Sequence, residues 1–391
     1  PDLVVYSLAI PHNNPELVEA KKKGIKTLSY PEALGELTPH YYTIAICGTH
    51  GKSTITALIA KMLIDNRFDP TVIVGTKLRE LGDSNFRLGK SKILVLEACE
   101  YKRAFLNYQP QAIVLHTLDP DHMDYYKDFE EYIDAFRSFV SRLPKSGYFF
   151  CNLDDKDIHD IFKSLKREKF PAYNTFNYST KYEESDFFLN TGHSISHDGK
   201  NLGELKLLIP GEHNRTNALA AFSLGATIGI ASKDILASLR MYKGAFRRFE
   251  EKGKFGKTLI IDDYGHHPAE ITATLQAARE KFPTKKICVV FQPHQYSRTK
   301  NLLKEFAVSF KDADEVIIPN IYASRDSEAD KKSVSPEMLV KEITKHHANV
   351  RYGEGLEKTT SWLTKNAKKF DVIMTMGAGD VWKVGESLVN A

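Results

Sequence analysis

The sequence predicts an α/β protein built on more than one open, largely parallel sheet, and three observations predict it. Short apolar runs alternate with helix-period patterns along nearly the whole chain, as parallel strands covered by helices do. A glycine-rich turn, Gly48-Thr49-His50-Gly51-Lys52-Ser53, stands between one such run and a helical pattern. The alternation restarts near Gly244, and 391 residues exceed what one ordinary core holds.

Leu3-Val4-Val5-Tyr6 reads as a strand, followed by a helix over Asn14–Lys23 with Asn13 or Asn14 as cap and Pro15 in its first turn. Tyr42–Cys47 is the strand before the glycine turn. After the turn, Ile55, Leu58, Ile59, Met62 and Leu63 share one helical face. Ile93–Leu96 and Ala112–Leu115 are two more strands of the buried type. The stretch 155–203, rich in charges, Asn, Ser and Tyr, reads as irregular surface or short antiparallel strands. A helix is expected over Asn214–Gly229, with small residues on one face for close packing. Beyond it, strands at Thr258–Asp262, Ile287–Phe291, Glu315–Ile318 and Val372–Thr375 alternate with helices at Pro268–Phe282, Lys300–Phe310, Pro336–Lys345 and Leu356–Ala367. A domain boundary falls near Tyr242, with a hinge expected over residues 242–244.

Composition excludes several classes. The chain is 42% hydrophobic and 27% charged with a net charge of +4, so it is neither disordered nor strongly basic, and no nucleic-acid partner is expected. No apolar run reaches membrane-spanning length, which predicts no membrane partner. The four cysteines form no Cys-x-x-Cys pair, which argues against a zinc ribbon or disulfide scaffold and fits a reducing cytoplasm. Composition says nothing of the oligomeric state.

The turn at Gly48–Ser53 sits where backbone N–H groups can surround a phosphate. Lys52 would neutralise phosphate charge and the Ser53 hydroxyl would ligate Mg²⁺. The usual Gly-x4-Gly-Lys-Ser/Thr spacing is not met, because Ile46 stands in place of the first glycine. Glu97 ends the next strand, and His122 follows the third within Asp119-Pro120-Asp121-His122-Met123-Asp124. A hydroxyl, a carboxylate and an imidazole after three strands make a metal site of Ser53, Glu97 and His122 plausible, against the plainer reading of a strand-end acid and a solvent-facing ring. In the second half, Asp262-Asp263-Tyr264-Gly265-His266-His267-Pro268 and Phe291-Gln292-Pro293-His294-Gln295-Tyr296-Ser297-Arg298-Thr299 are polar loops after strands, suited to a small anionic substrate. Gly244-Ala245-Phe246-Arg247-Arg248-Phe249-Glu250 brings two arginines to the inferred boundary.

These segments, with Glu97-Ala98-Cys99-Glu100, Pro210-Gly211-Glu212-His213-Asn214-Arg215-Thr216-Asn217 and Met376-Gly377-Ala378-Gly379-Asp380, resemble in order the Mur ligase family of amide-forming enzymes. Asp-Asp-Tyr-Gly-His-His-Pro and Phe-Gln-Pro-His point to its alanine-adding branch. The resemblance implies a partial N-terminal Rossmann-like unit (residues 1–40), a central P-loop ATPase-type α/β domain (41–242) and a C-terminal Rossmann-like α/β domain that takes the amino acid (243–391). Relatives open with a glycine-rich unit for the UDP moiety. Residues 2–40 resemble only its latter half, so a chain that begins inside a longer protein is expected.

The resemblance implies ATP and Mg²⁺ as cofactors, and UDP-N-acetylmuramate and L-alanine as substrates joined through an acyl phosphate in peptidoglycan precursor synthesis. Position by position, Gly48, Thr49, His50, Gly51, Lys52, Ser53 and Thr54 would cradle ATP phosphates, with Glu97 and His122 as further metal ligands. His213, Asn214 and Asn217 would hold the adenine and its surroundings, Arg248 would reach the phosphates and Asp263 would lie near the ribose. His266, His267, His294 and Arg298 would hold the amino acid and nascent acyl group, with His266 or His267 as base. Ser53 replaces the usual Thr, Cys99 an Asp, and Gln295 a basic residue. The alternatives are a ligase attaching murein tripeptide to the same sugar nucleotide, a folylpolyglutamate synthetase, and a nucleotide-binding regulatory protein of the same fold.

Overall fold

A computed structural model describes residues 1–167, 174–324 and 326–391. Contacts within the chain divide it into two units, Pro1–Leu208 with Asn214–Tyr242, and Ile209–His213 with Lys243–Ala391.

In the first unit, β1 (Leu3–Tyr6) pairs in parallel with β2 (Lys26–Ser29), joined through α1 (Pro15–Lys22). Asn14 caps α1, its side chain accepting from the N–H groups of Glu16 and Leu17 at 3.0 and 3.3 Å. Ser29 and Glu32 form a capping box at the head of α2 (Tyr30–Leu37). The remaining strands are β3 (Tyr42–Cys47), β4 (Thr71–Leu78), β5 (Ser84–Arg87), β6 (Ile93–Glu97), β7 (Ala112–Leu115), β8 (Tyr148–Asn152), β9 (Asn174–Ser179), β10 (Phe187–Leu189), β11 (Ser194–His197) and β12 (Lys200–Glu204). They form one sheet in the order β12-β11-β10-β9-β8-β7-β3-β6-β4-β5. Its middle, from β9 to β4, is parallel, and the central strands β8, β7, β3 and β6 are largely apolar and buried. Because β3 lies between β6 and β7, the loops after these three strands emerge side by side at the carboxyl edge, where open sheets bind ligands.

The five apolar residues of α3 (Lys52–Asp65) picked out by their spacing are all buried. On the core side, Leu94, Leu96, Ile113 and Leu115 pack with Phe105 and with Tyr132, Phe136 and Phe139 of α4 (Phe129–Val140). The stretch 155–203 is more regular than its composition predicts. It holds a helix, α5 (Lys156–Arg167), whose Ile158, Ile161 and Phe162 are buried beneath a charged surface. It also holds β9, which is parallel to β8, and the antiparallel strands β10 and β11, with β12 opening at its end. Residues 168–173 of that stretch lie outside the described residues. α6 (Glu212–Thr227) and α7 (Ser232–Arg240) follow.

The second unit has β13 (Glu250–Phe255), β14 (Thr258–Asp263), β15 (Ile287–Phe291), β16 (Glu315–Ile318), β17 (Val350–Tyr352) and β18 (Val372–Met376), in the order β13-β14-β18-β15-β16-β17. All neighbours are parallel except β13 and β14. Alternate residues serve two cores. Ile261, Val289, Val316 and Met374 pack with Ile271 and Leu275 of α8 (Pro268–Lys281). Ile260, Cys288, Val290 and Ile373 face Leu363, Val384 and Leu388. The helix expected over Lys300–Phe310 is instead two short ones, α9 (Tyr296–Asn301) and α10 (Leu303–Val308), broken where Leu302 adopts φ −109° and ψ 24°. The start of α9 is fixed by its loop, since Ser297 N–H donates to Asp326 at 3.0 Å. Among the described residues no helix is long and apolar enough to cross a membrane.

Candidate functional site

The glycine loop leaves β3 and is laced to the segment after β7. Thr49 N–H donates to the Thr117 carbonyl and His50 N–H to the Thr117 hydroxyl, both at 2.8 Å. The Thr49 hydroxyl lies 2.8 Å from the Tyr132 hydroxyl and 3.1 Å from the Asp119 carbonyl, and His50 Nε2 is 3.1 Å from the Asp119 carboxylate. Gly48 has φ 134°, and a Cβ there would sit 2.9 Å from both N and O of Thr117. Gly51 (φ 81°) begins α3 with no side-chain cap. The first-turn N–H groups, through Lys52, Ser53 and Thr54, therefore have no partner within the helix and carry its positive end. Ser53 and Thr54 are themselves buried.

Lys52 folds back over the loop. Its Nζ donates to the Gly48 carbonyl at 2.5 Å, the Thr49 carbonyl at 3.0 Å and Glu100 Oε1 at 3.0 Å. Burial works against its charge, but Glu100, with Cys99 and Glu97 adding, outweighs it and holds the ammonium's pKa above the ordinary lysine value. Glu100 is 1% exposed, and its Oε1 also lies 3.7 Å from His122 Nε2. Glu100 Oε2 and His122 Nδ1 are buried with no hydrogen-bond partner among the described residues. Glu97 Oε2 accepts from Gly75 N–H at 2.8 Å, and Glu97 lines a 420 Å³ cavity with Tyr6, Tyr30, Cys99 and Tyr101. Among the described residues no three His, Cys, Asp or Glu side chains gather as a metal site. Mg²⁺ takes few protein ligands and completes its shell with water and phosphate, and the buried bare oxygen and ring nitrogen here suit a cation's neighbourhood.

Asn214 and Asn217 stand on α6, and Asn217 Nδ2 donates to Asn214 Oδ1 at 3.4 Å. A Cβ on Gly51 would come within 2.5 Å of Asn217 Oδ1 and 2.7 Å of the His116 ring, so only glycine allows this approach. His116 is a buried residue, 2.9 Å from the Tyr178 hydroxyl, that spacing did not single out. His213 groups by its contacts with the second unit, where its ring packs over Gly211.

In the second unit the loops after β14, β15 and β18 are neighbours. Arg247 and Arg248 both lie 5.2 Å from the Tyr264 ring, yet they differ in use. Arg247 is consumed by Asp262 at 2.8 Å and by the carbonyls of Gly377 and Gly379 at 2.6 and 3.2 Å. Arg248 keeps a looser contact, 3.9 Å to Glu270. Glu270 accepts from the N–H groups of His266 and His267 at 2.9 and 3.2 Å and sits 3.4 Å from His266 Nδ1. The His266 and His294 rings are 6.0 Å apart, and His294 Nδ1 is 3.4 Å from Arg298. His267 is buried at the N-cap of α8.

Asp263, expected beside a ribose, is buried: it accepts from Phe249 N–H and Gly265 N–H at 2.8 Å each and from the Thr274 hydroxyl of α8 at 3.3 Å. Burial raises its pKa above the ordinary carboxylate value despite Arg248 and these donors, and does the same to Asp262 despite Arg247.

Comparison with known proteins finds a match throughout. The Mur ligase middle domain model covers residues 46–225, the Mur ligase glutamate ligase domain 247–379, and the Mur ligase family catalytic domain 1–42. UDP-N-acetylmuramate–L-alanine ligase of Clostridium botulinum is 39% identical over 391 residues, 100% of this chain and 84% of that protein. The chain belongs to the Mur ligase family. The enzyme of the same description from Caldicellulosiruptor saccharolyticus is also 39% identical, over 100% of this chain and 85% of its own length. Among solved structures, UDP-N-acetylmuramate-alanine ligase from Thermotoga maritima superposes with TM-score 0.82 at 25% identity, covering 100% of this chain and 85% of that one. A murein peptide ligase from Psychrobacter arcticus shares the fold, with TM-score 0.72 at 22% identity and the same coverages.

The residues expected to depart from the family pattern have the following places. Cys99 is exposed, on the wall of the cavity beside Glu97. Gln295 is buried with φ 72° at the start of α9, its N–H donating to the Tyr322 carbonyl at 2.9 Å. Glu100, Thr117 and Glu270 are the residues around the loops that the reading of spacing passed over. Glu100 closes the segment Glu97-Ala98-Cys99-Glu100, and Glu270 lies three residues after His267, just beyond Pro268; that spacing was the available signal.

Proposed function

We propose that this chain joins L-alanine to the carboxylate of UDP-N-acetylmuramate, using ATP, through an acyl phosphate. The observation that carries the reading is the 39% identity to UDP-N-acetylmuramate–L-alanine ligases along the whole chain. The substrate carboxylate attacks the γ-phosphorus and ADP leaves. The neutral amine of alanine then attacks the acyl carbon, and the tetrahedral intermediate expels phosphate. Such phosphoryl transfer depends on positioning and charge neutralisation more than on covalent protein chemistry.

In this reading Gly48, Thr49, His50, Gly51, Ser53 and Thr54 cradle the phosphates with Lys52 neutralising them, and Asn214 and Asn217 serve the nucleotide beside them. Ser53, Glu97 and His122 would hold Mg²⁺, which supplies charge neutralisation between the phosphates when bound. In the second unit, Arg248 rather than Arg247 serves the phosphates, because Arg247 is committed to Asp262 and two carbonyls. His213 serves the nucleotide, and His294 and Arg298 serve the amino acid and acyl group. His266 is the better-placed base, since Glu270 at 3.4 Å stabilises its protonated ring while His267 is buried at a helix cap. The reading places the work in the cytoplasm, where the nucleotide substrates are.

Phosphate release from ATP, measured with UDP-N-acetylmuramate and each of L-alanine, glycine, L-serine and murein tripeptide, tests this. Release dependent on L-alanine is expected. Release with tripeptide alone would move the chain to the peptide-attaching enzymes, and nucleotide binding without release under any condition would make it a regulator.

A further inference from the structure

We propose that Glu100 is a positioning residue which holds Lys52 and His122 in place and gives up the lysine to the nucleotide on binding. The inference rests on the reading of the Gly48–Ser53 loop as an ATP site. Glu100 is 1% exposed and its Oε1 contacts both partners, 3.0 Å from Lys52 Nζ and 3.7 Å from His122 Nε2. Its own backbone is pinned, with the carbonyl accepting from the Tyr126 hydroxyl at 2.5 Å and from Arg103 N–H at 2.9 Å. Lys102 and Arg103 then take left-handed φ values of 52° and 56°, which puts a sharp kink in the chain just after Glu100. Two non-glycine residues in that region are a local cost that the surroundings must impose. The backbone that carries the carboxylate is therefore fixed, and the carboxylate itself is held by Lys52.

Its second oxygen, Oε2, is buried and accepts no hydrogen bond among the described residues. The nearer of its two partners, Lys52 at 3.0 Å, is the cation that offsets this buried carboxylate. When the phosphates of a nucleotide reach the loop, two anions compete for one ammonium. Glu100 thus weakens nucleotide binding while keeping Lys52 charged, folded over the loop, and His122 turned toward it. Removing the charge with the shape kept should move affinity and turnover in opposite directions. A merely structural residue would lower both.

The test uses the whole protein and a non-hydrolysable ATP analogue, with binding followed by calorimetry and turnover by phosphate release. Glu100→Gln is expected to tighten analogue binding about threefold or more and to lower kcat about tenfold or more. Glu100→Asp, which keeps the charge but draws it back from Lys52, is expected to show an intermediate gain in affinity. Unchanged or weaker binding by the Gln variant, or unchanged kcat, overturns the proposal. If the Gln variant does not fold, weaker binding by the Asp variant overturns it in the same way. Failure of the wild-type protein to bind the analogue overturns the ATP reading of the loop itself, a distinct result measured first.

Discussion

Lys52→Ala should abolish ligation, but the structure adds a stability cost that reports on the site without any substrate. The lysine is the cation facing Glu100, a carboxylate 1% exposed at 3.0 Å. Removing one partner of a buried ion pair costs about 3–5 kcal/mol, because the other charge is stranded. The Lys52→Ala deficit should therefore be about 3–5 kcal/mol. For a body the size of the first unit this lowers Tm by about 6–20 °C. Calorimetric scans of wild type, Lys52→Ala, Glu100→Gln and the double variant supply the assay. The double variant should recover most of the loss, since neither charge is then stranded. A double variant no more stable than Lys52→Ala would refute the claim that this pair is buried and mutually dependent.

Four further outcomes are expected. Gly48→Ala forces a side chain into φ 134° and against the Thr117 backbone at 2.9 Å, so it should cost about 1–3 kcal/mol in stability and weaken ATP binding in equilibrium titration. Arg247→Ala should destabilise the second unit by about 2–3 kcal/mol in denaturant titration, since it strands Asp262 and two carbonyls. Arg248→Ala, by contrast, should leave the denaturation midpoint almost unmoved while kcat falls about a hundredfold. Asp262 and Asp263 have raised folded pKa values, so their favourable contribution is complete below the ordinary Asp value of about 3.9 and is lost as pH rises through the folded values. These two groups should make the second unit gain stability as pH falls through their folded values towards the ordinary Asp value, and Asp263→Asn should flatten that slope in denaturant titrations across the acidic range.

What was legible in the sequence follows from where each element gets its stability. The parallel strands and α3 are buried on their own apolar pattern, so Tyr42–Cys47 and the face of Ile55, Leu58, Ile59, Met62 and Leu63 could be read directly. β13 could not, because Glu250-Glu251-Lys252-Gly253-Lys254-Phe255 has no apolar alternation. It is a strand because β14 pairs with it, across a bulge near Gly253. In α5 the repeat of Ile158, Ile161 and Phe162 is interleaved with charged residues, of which Lys156, Asp160 and Lys163 are exposed. At the sites, residue type was legible and orientation was not. Glu97 and Glu100 are the same acid three positions apart, and no spacing rule says that Glu100 is the one hydrogen-bonded to Lys52. Arg247 and Arg248 are likewise identical in sequence and opposite in use.

The glycine loop shows the same division at its sharpest. Its failure of the usual spacing, with Ile46 in place of glycine, has a physical explanation: Ile46 is a fully buried residue of β3, and the close approach that the first glycine usually serves occurs two residues later. There Gly48, with its left-handed backbone, lets the loop lie against the backbone of Thr117, while Gly51 opens α3 against Asn217 and His116. Both glycines are required by neighbours from other strands and helices rather than by the loop itself. A pattern written for one contiguous segment therefore misjudges this loop, because the geometry it encodes is completed by residues about 65 and about 165 positions further along the chain.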